Sequence, residues 1–125
     1  MSALAFYFLK KGIKVSGYDR TTSPITNKLI NEGINIHFQE YIDLLENDID
    51  IVIYTPAIPV DNIEFVYFKE KGIQMLKRAE ALAMVTENNF TVAVSGTHGK
   101  TSITAMISHI LSTAGKQIDA FIGGI

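Results

Sequence analysis

The sequence contains no cysteine and has no excess of basic residues. Without cysteine the chain cannot form disulfides, iron–sulfur clusters or thiolate zinc sites. Its 11 lysines and arginines against 13 aspartates and glutamates give a net charge of −2. Because proteins that bind nucleic acid normally carry a basic surface, we expect no nucleic acid among its partners.

The sequence also lacks a long apolar run. Its N-terminal apolar stretch, residues 2–9, is followed by Lys10 and Lys11. A bilayer-spanning helix needs about 20 residues, and a secretory signal carries its charge in front of the apolar part. We therefore expect a cytoplasmic protein with no membrane partner, in which this stretch is the buried part of a helix.

What the sequence does contain is an ordinary globular composition. Of its 125 residues, 47% are hydrophobic and 19% are charged. Disordered chains combine lower hydrophobicity with higher net charge, so intrinsic disorder is excluded. One compact domain is the usual outcome for this length, and two full domains would be cramped.

Short apolar runs alternate with helix-like stretches along the whole chain. The predicted strands are 13–17, 34–38, 49–54, 73–76, 90–95 and 118–122. The predicted helices are 4–9, 24–32, 61–71, 78–86 and 101–114, with one or two helical turns at 41–46. Strands that alternate with helices predict an α/β fold with a parallel sheet.

The pattern breaks at 86–89, which predicts a boundary between residues 1–88 and 89–125. No strand precedes the first helix, although the first strand of an open parallel sheet usually lies in its middle. We expect that strand to be missing from a position between 13–17 and 49–54. The second part has too few elements to cover its own faces, so the chain looks cut at both ends.

The most informative stretch is the turn between the strand at 90–95 and the helix that follows it. It reads Gly96-Thr97-His98-Gly99-Lys100-Thr101-Ser102. Glycines let a backbone approach phosphate closely, and a helix N-terminus attracts anions. Lys100 would reach the outer phosphates and the Thr101 hydroxyl would bind Mg²⁺. The strict Gly-x-x-x-x-Gly-Lys-[Ser/Thr] pattern fails, because Val94 stands where its first glycine belongs.

This loop resembles the ATP loop of the Mur ligase family, whose shortened Gly-Thr-x-Gly-Lys-Thr form accounts for Val94. Four further segments resemble the family in the same order along the chain. They are Met1-Ser2-Ala3-Leu4-Ala5, Val15-Ser16-Gly17-Tyr18-Asp19, Tyr54-Thr55-Pro56-Ala57-Ile58-Pro59 with Asp61-Asn62, and Lys77-Arg78-Ala79-Glu80. Phe121-Ile122-Gly123-Gly124-Ile125 also matches. Ser102 stands where the family usually has threonine and keeps the hydroxyl.

The resemblance implies that residues 1–88 form a Rossmann-like domain that binds a UDP-sugar, and that 89–125 begin a P-loop ATPase domain. The ATP site would comprise Gly96, Thr97, His98, Gly99, Lys100, Thr101 and Ser102, with Lys100 and Thr101 catalytic and Thr101 on Mg²⁺. The UDP-sugar site would comprise Ser2, Asp19, Thr55, Ala57, Arg78, Glu80, Gly123 and Gly124.

Each of these positions also has a plainer interpretation. Asp19 fits a solvated turn, Thr55 and Ala57 fit a turn set by Pro56 and Pro59, and Arg78 fits a surface pair with Glu80. Gly123 and Gly124 fit a turn that ends a strand. His98 has no second ligand at metal spacing, and His37 and His109 fit structural or solvated roles.

The implied reaction uses ATP and Mg²⁺ to join L-alanine to UDP-N-acetylmuramate through an acyl phosphate, in peptidoglycan precursor synthesis. His98 in the variable position is similar to family members that attach either L-alanine or a recycled murein tripeptide. Met1-Ser2-Ala3-Leu4-Ala5 favours the first of these. A stand-alone nucleotide-binding module is the alternative from another class. The segment by itself is expected to be inactive.

Overall fold

Helices and parallel strands alternate through the first part of the computed structural model, which describes residues 1–122. The elements of this part are α1 (Ser2–Lys10), β1 (Ser16–Tyr18), α2 (Pro24–Asn31), β2 (Asn35–His37), a 3₁₀ turn (Ile42–Leu44), β3 (Ile51–Tyr54), α3 (Ile63–Glu70), β4 (Gln74–Lys77) and α4 (Arg78–Thr86). The chain divides into two compact units between Asn88 and Asn89.

Two of the helices begin where short polar side chains satisfy the backbone. Ser23 and Thr26 form a capping box at α2, with Pro24 at its first position. Asn62 accepts a hydrogen bond from the Phe65 N–H at 2.9 Å and so caps α3. The first N–H groups of a helix have no partner within the helix, which is why serine and asparagine are favoured there.

The strands form two parallel pairs. β1 pairs with β2, with Tyr18 opposite His37, and β3 pairs with β4, with Tyr54 opposite Lys77. Among residues 1–122 the two pairs share no strand-to-strand hydrogen bonding, so β1 and β3 each keep one edge without a strand partner. The fold is therefore α/β with parallel strands, as the alternating pattern predicts.

The buried core of the first unit is small. Its buried apolar residues are Leu4, Leu29, Ile34, Phe68 and Ala81. α1 packs on α2, α2 on β2, and α4 on β3 and β4. Three polar residues, Thr26, Asn62 and Glu64, are buried among these elements. Burial of so little apolar surface makes the polar contacts around those three residues important for holding the elements in place.

The second unit, through Ile122, contains one helix, α5 (Lys100–Thr113), within one residue of its predicted bounds. The predicted strands at 90–95 and 118–122 are wrong, because neither segment is a strand in the structure. Phe90 is 98% exposed and Val92 54%, so these apolar residues of the segment at 90–95 lie open to solvent. A strand exists only through hydrogen bonds to a neighbour, and these segments pair with no described strand.

The apolar stripe of α5 is open to solvent. Ile103, Met106 and Ile110 are 47%, 63% and 64% exposed. Within residues 1–122, no helix combines the length and the apolar character needed to cross a membrane.

Candidate functional site

A glycine-rich turn leads directly into α5. Gly99, the residue before the helix, has φ 77° and ψ 1°, and Gly96 has φ 151°. A side chain at Gly99 would meet only the Ile103 Cδ1, at 3.8 Å. The left-handed backbone, rather than a lack of space, therefore favours glycine at position 99.

The side chain of Lys100 folds back over this turn. Its Nζ donates a hydrogen bond to the Gly96 carbonyl oxygen at 2.6 Å. The Ile103 N–H donates to the Gly99 carbonyl at 2.9 Å, which closes the first turn of α5. A positive charge thus lies over the loop backbone at the positive end of a helix. The other predicted ATP-loop residues, Thr97, His98, Thr101 and Ser102, are exposed around it.

The N-termini of the longer helices differ in a way that bears on anion binding. Ser23 and Asn62 cap α2 and α3 with side-chain oxygens. At α1, α4 and α5 the N-cap residues, Met1, Lys77 and Gly99, make no such side-chain hydrogen bond. An N-terminus without a side-chain cap presents N–H groups and a positive dipole end, the features that bind phosphate. Of these, α1 and α5 begin beside the residues predicted to contact phosphates.

Asp19 follows the end of β1 and is held by two hydrogen bonds. Its N–H donates to the His37 carbonyl at 3.1 Å, which continues the β1–β2 pairing by one residue. Its Oδ1 accepts from the Thr21 N–H at 3.2 Å. The side chain is exposed at the carboxyl end of a parallel strand, where ligands of open α/β sheets bind.

Thr55 and Arg78 follow the paired ends of β3 and β4. Tyr54 and Lys77 are opposite each other in the register. Thr55 and Arg78 therefore follow at the same edge of this strand pair. The Thr55 carbonyl accepts from the Ile58 N–H at 3.1 Å, which forms a turn around exposed Ala57. Part of the predicted UDP-sugar site is thereby brought together.

Arg78 also lies close to the start of α1, where Ser2 is the first helical residue. Burial lowers the pKa of the Met1 amino group, and the nearby Arg78 guanidinium lowers it further. Glu80 turns instead to the backbone, where its Oε2 accepts from the Lys77 N–H at 2.6 Å. Gly123 and Gly124 lie outside the described residues.

A polar network that the sequence does not predict lies next to Asp19. Its members are Tyr18, His37, Glu40 and Glu64. His37 Nε2 and Glu64 Oε1 are 2.8 Å apart, and only 13% and 6% of their side chains are exposed. The partners are 27 residues apart in sequence, so no local spacing points to them. The acidic residue in the first turn of α3 is the only local signal.

No cluster of three or more histidine or acidic side chains suited to a metal ion is present within residues 1–122. His98 therefore belongs to no such cluster among them, and Thr101 stays the predicted Mg²⁺ ligand.

Comparison with known protein sequences finds Mur ligases. Residues 1–89 match the family model described as Mur ligase family, catalytic domain. The UDP-N-acetylmuramate–L-alanine ligase of Flavobacterium johnsoniae is 47% identical over 129 aligned residues, covering 100% of this chain and 29% of the relative. That of Porphyromonas gingivalis strain W83 is 42% identical, with 100% and 28% covered.

Solved structures agree with these sequence relatives. The UDP-N-acetylmuramate–alanine ligase of Thermotoga maritima superposes with a TM-score of 0.88 and 33% identity, over 100% of this chain and 29% of that one. A murein peptide ligase of Psychrobacter arcticus gives 0.76 and 29% identity, over 92% of this chain and 24% of its own.

The parallel strand pairs and the glycine-rich turn entering α5 define an α/β protein of the kind that binds ligands at strand ends. The family match covers well over half of the sequence, and the chain belongs to the Mur ligase family. It spans about 29% of the length of the curated relatives it matches. The matched segment ends before the loop at 96–102.

Proposed function

We propose that this chain supplies the sugar-nucleotide unit and the phosphate loop of an ATP-dependent ligase that joins L-alanine to UDP-N-acetylmuramate. The main support is the turn at Gly96–Ser102, where Lys100 lies over the loop at an N-terminus without a side-chain cap. The 47% identity to a relative named as that ligase covers this turn as well as the first unit.

The proposed reaction activates a carboxylate, which is otherwise a poor electrophile. The γ-phosphoryl of ATP passes to the lactyl carboxylate of UDP-N-acetylmuramate, and ADP leaves. The amino group of L-alanine then attacks the acyl carbon, the amide bond forms, and inorganic phosphate leaves with the bonding electrons. Lys100 offsets negative charge on the transferring phosphoryl group.

The residues of the loop fit ATP phosphates and Mg²⁺. Gly99 has a left-handed backbone at the start of α5, where free N–H groups favour phosphate oxygens. The Thr101 hydroxyl is a hard oxygen donor of the kind that Mg²⁺ prefers. When bound, Mg²⁺ would neutralise phosphate charge, and Thr101 is the ligand that this segment would contribute.

The UDP-sugar is proposed to lie along the strand ends of the first unit. Asp19 would accept from the uridine, and Thr55 and Ala57 would contact the diphosphate near the start of α1, where Ser2 lies. Arg78 adds a positive charge close to that start. Glu80, which already accepts from the Lys77 N–H, would border the site by orienting the first turn of α4. Gly123 and Gly124 are assigned to the site by resemblance alone.

Residues 1–88 and 89–125 are proposed to act as separate domains, the first for the sugar nucleotide and the second for ATP. The division of the structure after Asn88 supports this. We further propose a cytoplasmic location, since ATP, UDP-sugars and free L-alanine would all have to reach the protein.

The test uses the product of the complete reading frame that contains this chain. We expect Lys100→Ala to lower kcat about 100- to 1,000-fold, because it removes one charged contact to the transferring phosphoryl. Binding of UDP-N-acetylmuramate should remain, because the two ligands are assigned to different units. Phosphate release and calorimetric titration of the UDP-sugar measure the two effects.

The matched control is Lys116→Ala, which removes an exposed lysine just beyond α5. It should leave both measurements unchanged. Loss of UDP-sugar binding equal to the loss of turnover in Lys100→Ala would contradict the assignment of two sites. Phosphate release that depends on a murein tripeptide instead of L-alanine would identify the recycling ligase, and no release with either would favour the binding module.

A further inference from the structure

The buried pair of His37 and Glu64 joins the end of β2 to the first turn of α3. His37 is the last residue of β2, and Glu64 is the second residue of α3. The Glu64 carboxylate also accepts from the Tyr41 N–H at 3.2 Å. Two partners on one nearly buried carboxylate offset much of the cost of removing it from water. The contact therefore holds a defined geometry between three segments.

Glu40 makes a second link between the same parts. Its Oε2 accepts from the Ile63 N–H at 3.2 Å at the start of α3, and its Oε1 lies 3.5 Å from the Tyr18 hydroxyl. Burial raises the pKa of the Tyr18 phenol, and the Glu40 charge raises it further. The phenol thus stays protonated and donates to Glu40. The Tyr18 ring lies 5.6 Å from the His37 ring, centroid to centroid.

This network reaches the backbone of Asp19. The Asp19 N–H donates to the carbonyl of His37, the residue whose imidazole contacts Glu64. Tyr18, next to Asp19 in sequence, contacts Glu40 and the His37 ring. The turn that presents the Asp19 carboxylate is therefore fixed from two sides, by the backbone of His37 and by the contacts of Tyr18.

We infer that His37 and Glu64 are positioning residues for nucleoside recognition, which hold the Asp19 turn at the angle that the UDP moiety requires. This inference rests on the proposed function. Neither side chain touches the ligand, and both act through the backbone bond from Asp19 to His37. A displacement of about 1 Å in a binding group is enough to cost up to about 100-fold in rate.

The test is His37→Phe in the product of the complete reading frame. Phenylalanine keeps a ring beside Tyr18 but loses the contact to Glu64. We expect the KM for UDP-N-acetylmuramate to rise about tenfold. The KM for ATP and kcat at saturating UDP-sugar should change less than about twofold, because the ATP loop is in the other unit. Steady-state kinetics with each substrate varied in turn give the values.

Two further variants separate positioning from stability. Glu64→Gln keeps an acceptor oxygen for the Tyr41 N–H and His37, and should retain a KM for UDP-N-acetylmuramate near that of the wild type. Glu64→Met loses both contacts and should raise that KM as His37→Phe does. Phe68→Leu, in the same helix but outside the network, should lower the unfolding temperature without moving the KM.

Two results overturn the inference. One is a KM for the UDP-sugar that stays at the wild-type value in His37→Phe and Glu64→Met while the unfolding temperature falls, since the network would then only stabilise the fold. The other is an equal rise of that KM in Phe68→Leu. If the wild-type protein shows no reaction or binding with UDP-N-acetylmuramate, the proposed function fails first, and the inference falls with it.

Discussion

Residues of the candidate site differ in how well the sequence predicts them. The difference depends on whether their partners are close in sequence. The proposed phosphate loop is seven consecutive residues, so its glycines and Lys100 can be recognised in the sequence, and Gly99 has a left-handed backbone. Glu64 and His37 meet only because β2 and α3 pack together. Their partnership depends on tertiary structure, and no pattern within one element contains it.

Gly99→Ala tests the loop backbone at this scale. The substitution places a Cβ on a residue with φ 77°, which costs about 1–2 kcal/mol and shifts the N–H groups that would meet phosphate. In the product of the complete reading frame we expect the KM for ATP to rise about tenfold, measured by ATP-dependent phosphate release.

Gly115→Ala is the matched control for that substitution. Gly115 has φ 76°, follows the other end of α5, and has no atom within 4 Å of an added Cβ. It should lose similar stability and keep the KM for ATP. Equal kinetic effects of the two substitutions would show that the loop has no special role.

Helices and strands of this protein differ in how well their sequences predict them. α4 has its predicted bounds, 78–86, and α2 and α5 lie within one residue of theirs. Helix ends are set by local signals such as caps and glycines. Strands depend on their neighbours, so β1 begins at residue 16 instead of 13. The β-branched run at 90–95 suits a sheet but has no described strand beside it.

At the scale of one element, Ser23→Ala should loosen α2. Ser23 Oγ accepts from the Thr26 N–H at 3.1 Å, and Thr26 Oγ1 accepts from the Ser23 N–H at 2.7 Å. Loss of such a cap costs about 1 kcal/mol, which corresponds to about fivefold faster local opening. Amide hydrogen exchange of α2 measures this. Ser23→Asp keeps an acceptor and should exchange at the wild-type rate; equally fast exchange in that control would contradict the role of the cap.

The stability of the whole molecule depends more on the amount of buried surface than on any one contact. Five apolar residues are buried among residues 1–122, while Phe90, Val60 and Met106 are 98%, 83% and 63% exposed. The strands form two separate pairs, each with open edges. Two-stranded units are marginally stable in water unless other elements cover them. The alternating pattern predicts the fold class, whereas the extent of burial depends on how the elements pack.

Residues 1–125 produced alone are therefore expected to fold poorly. Open strand edges favour association between chains, and a domain's total stability is only about 5–15 kcal/mol. We expect a broad thermal transition and aggregation, seen by circular dichroism and size-exclusion chromatography, and no phosphate release with ATP, UDP-N-acetylmuramate and L-alanine. A sharp transition of a soluble monomer would contradict the first expectation, and alanine-dependent phosphate release the second.

The absence of side-chain caps at α1 and α5 has a consequence for the lifetime of the polypeptide. On the proposed function, phosphates supply the partners that these helix ends lack, so ligand binding stabilises both units. A ligand at 100 times its Kd contributes about 2.7 kcal/mol. A cell depleted of nucleotides would hold the protein in its less stable form, which proteases degrade faster. Abundance of the protein would then follow the supply of its own substrates, without any dedicated regulator.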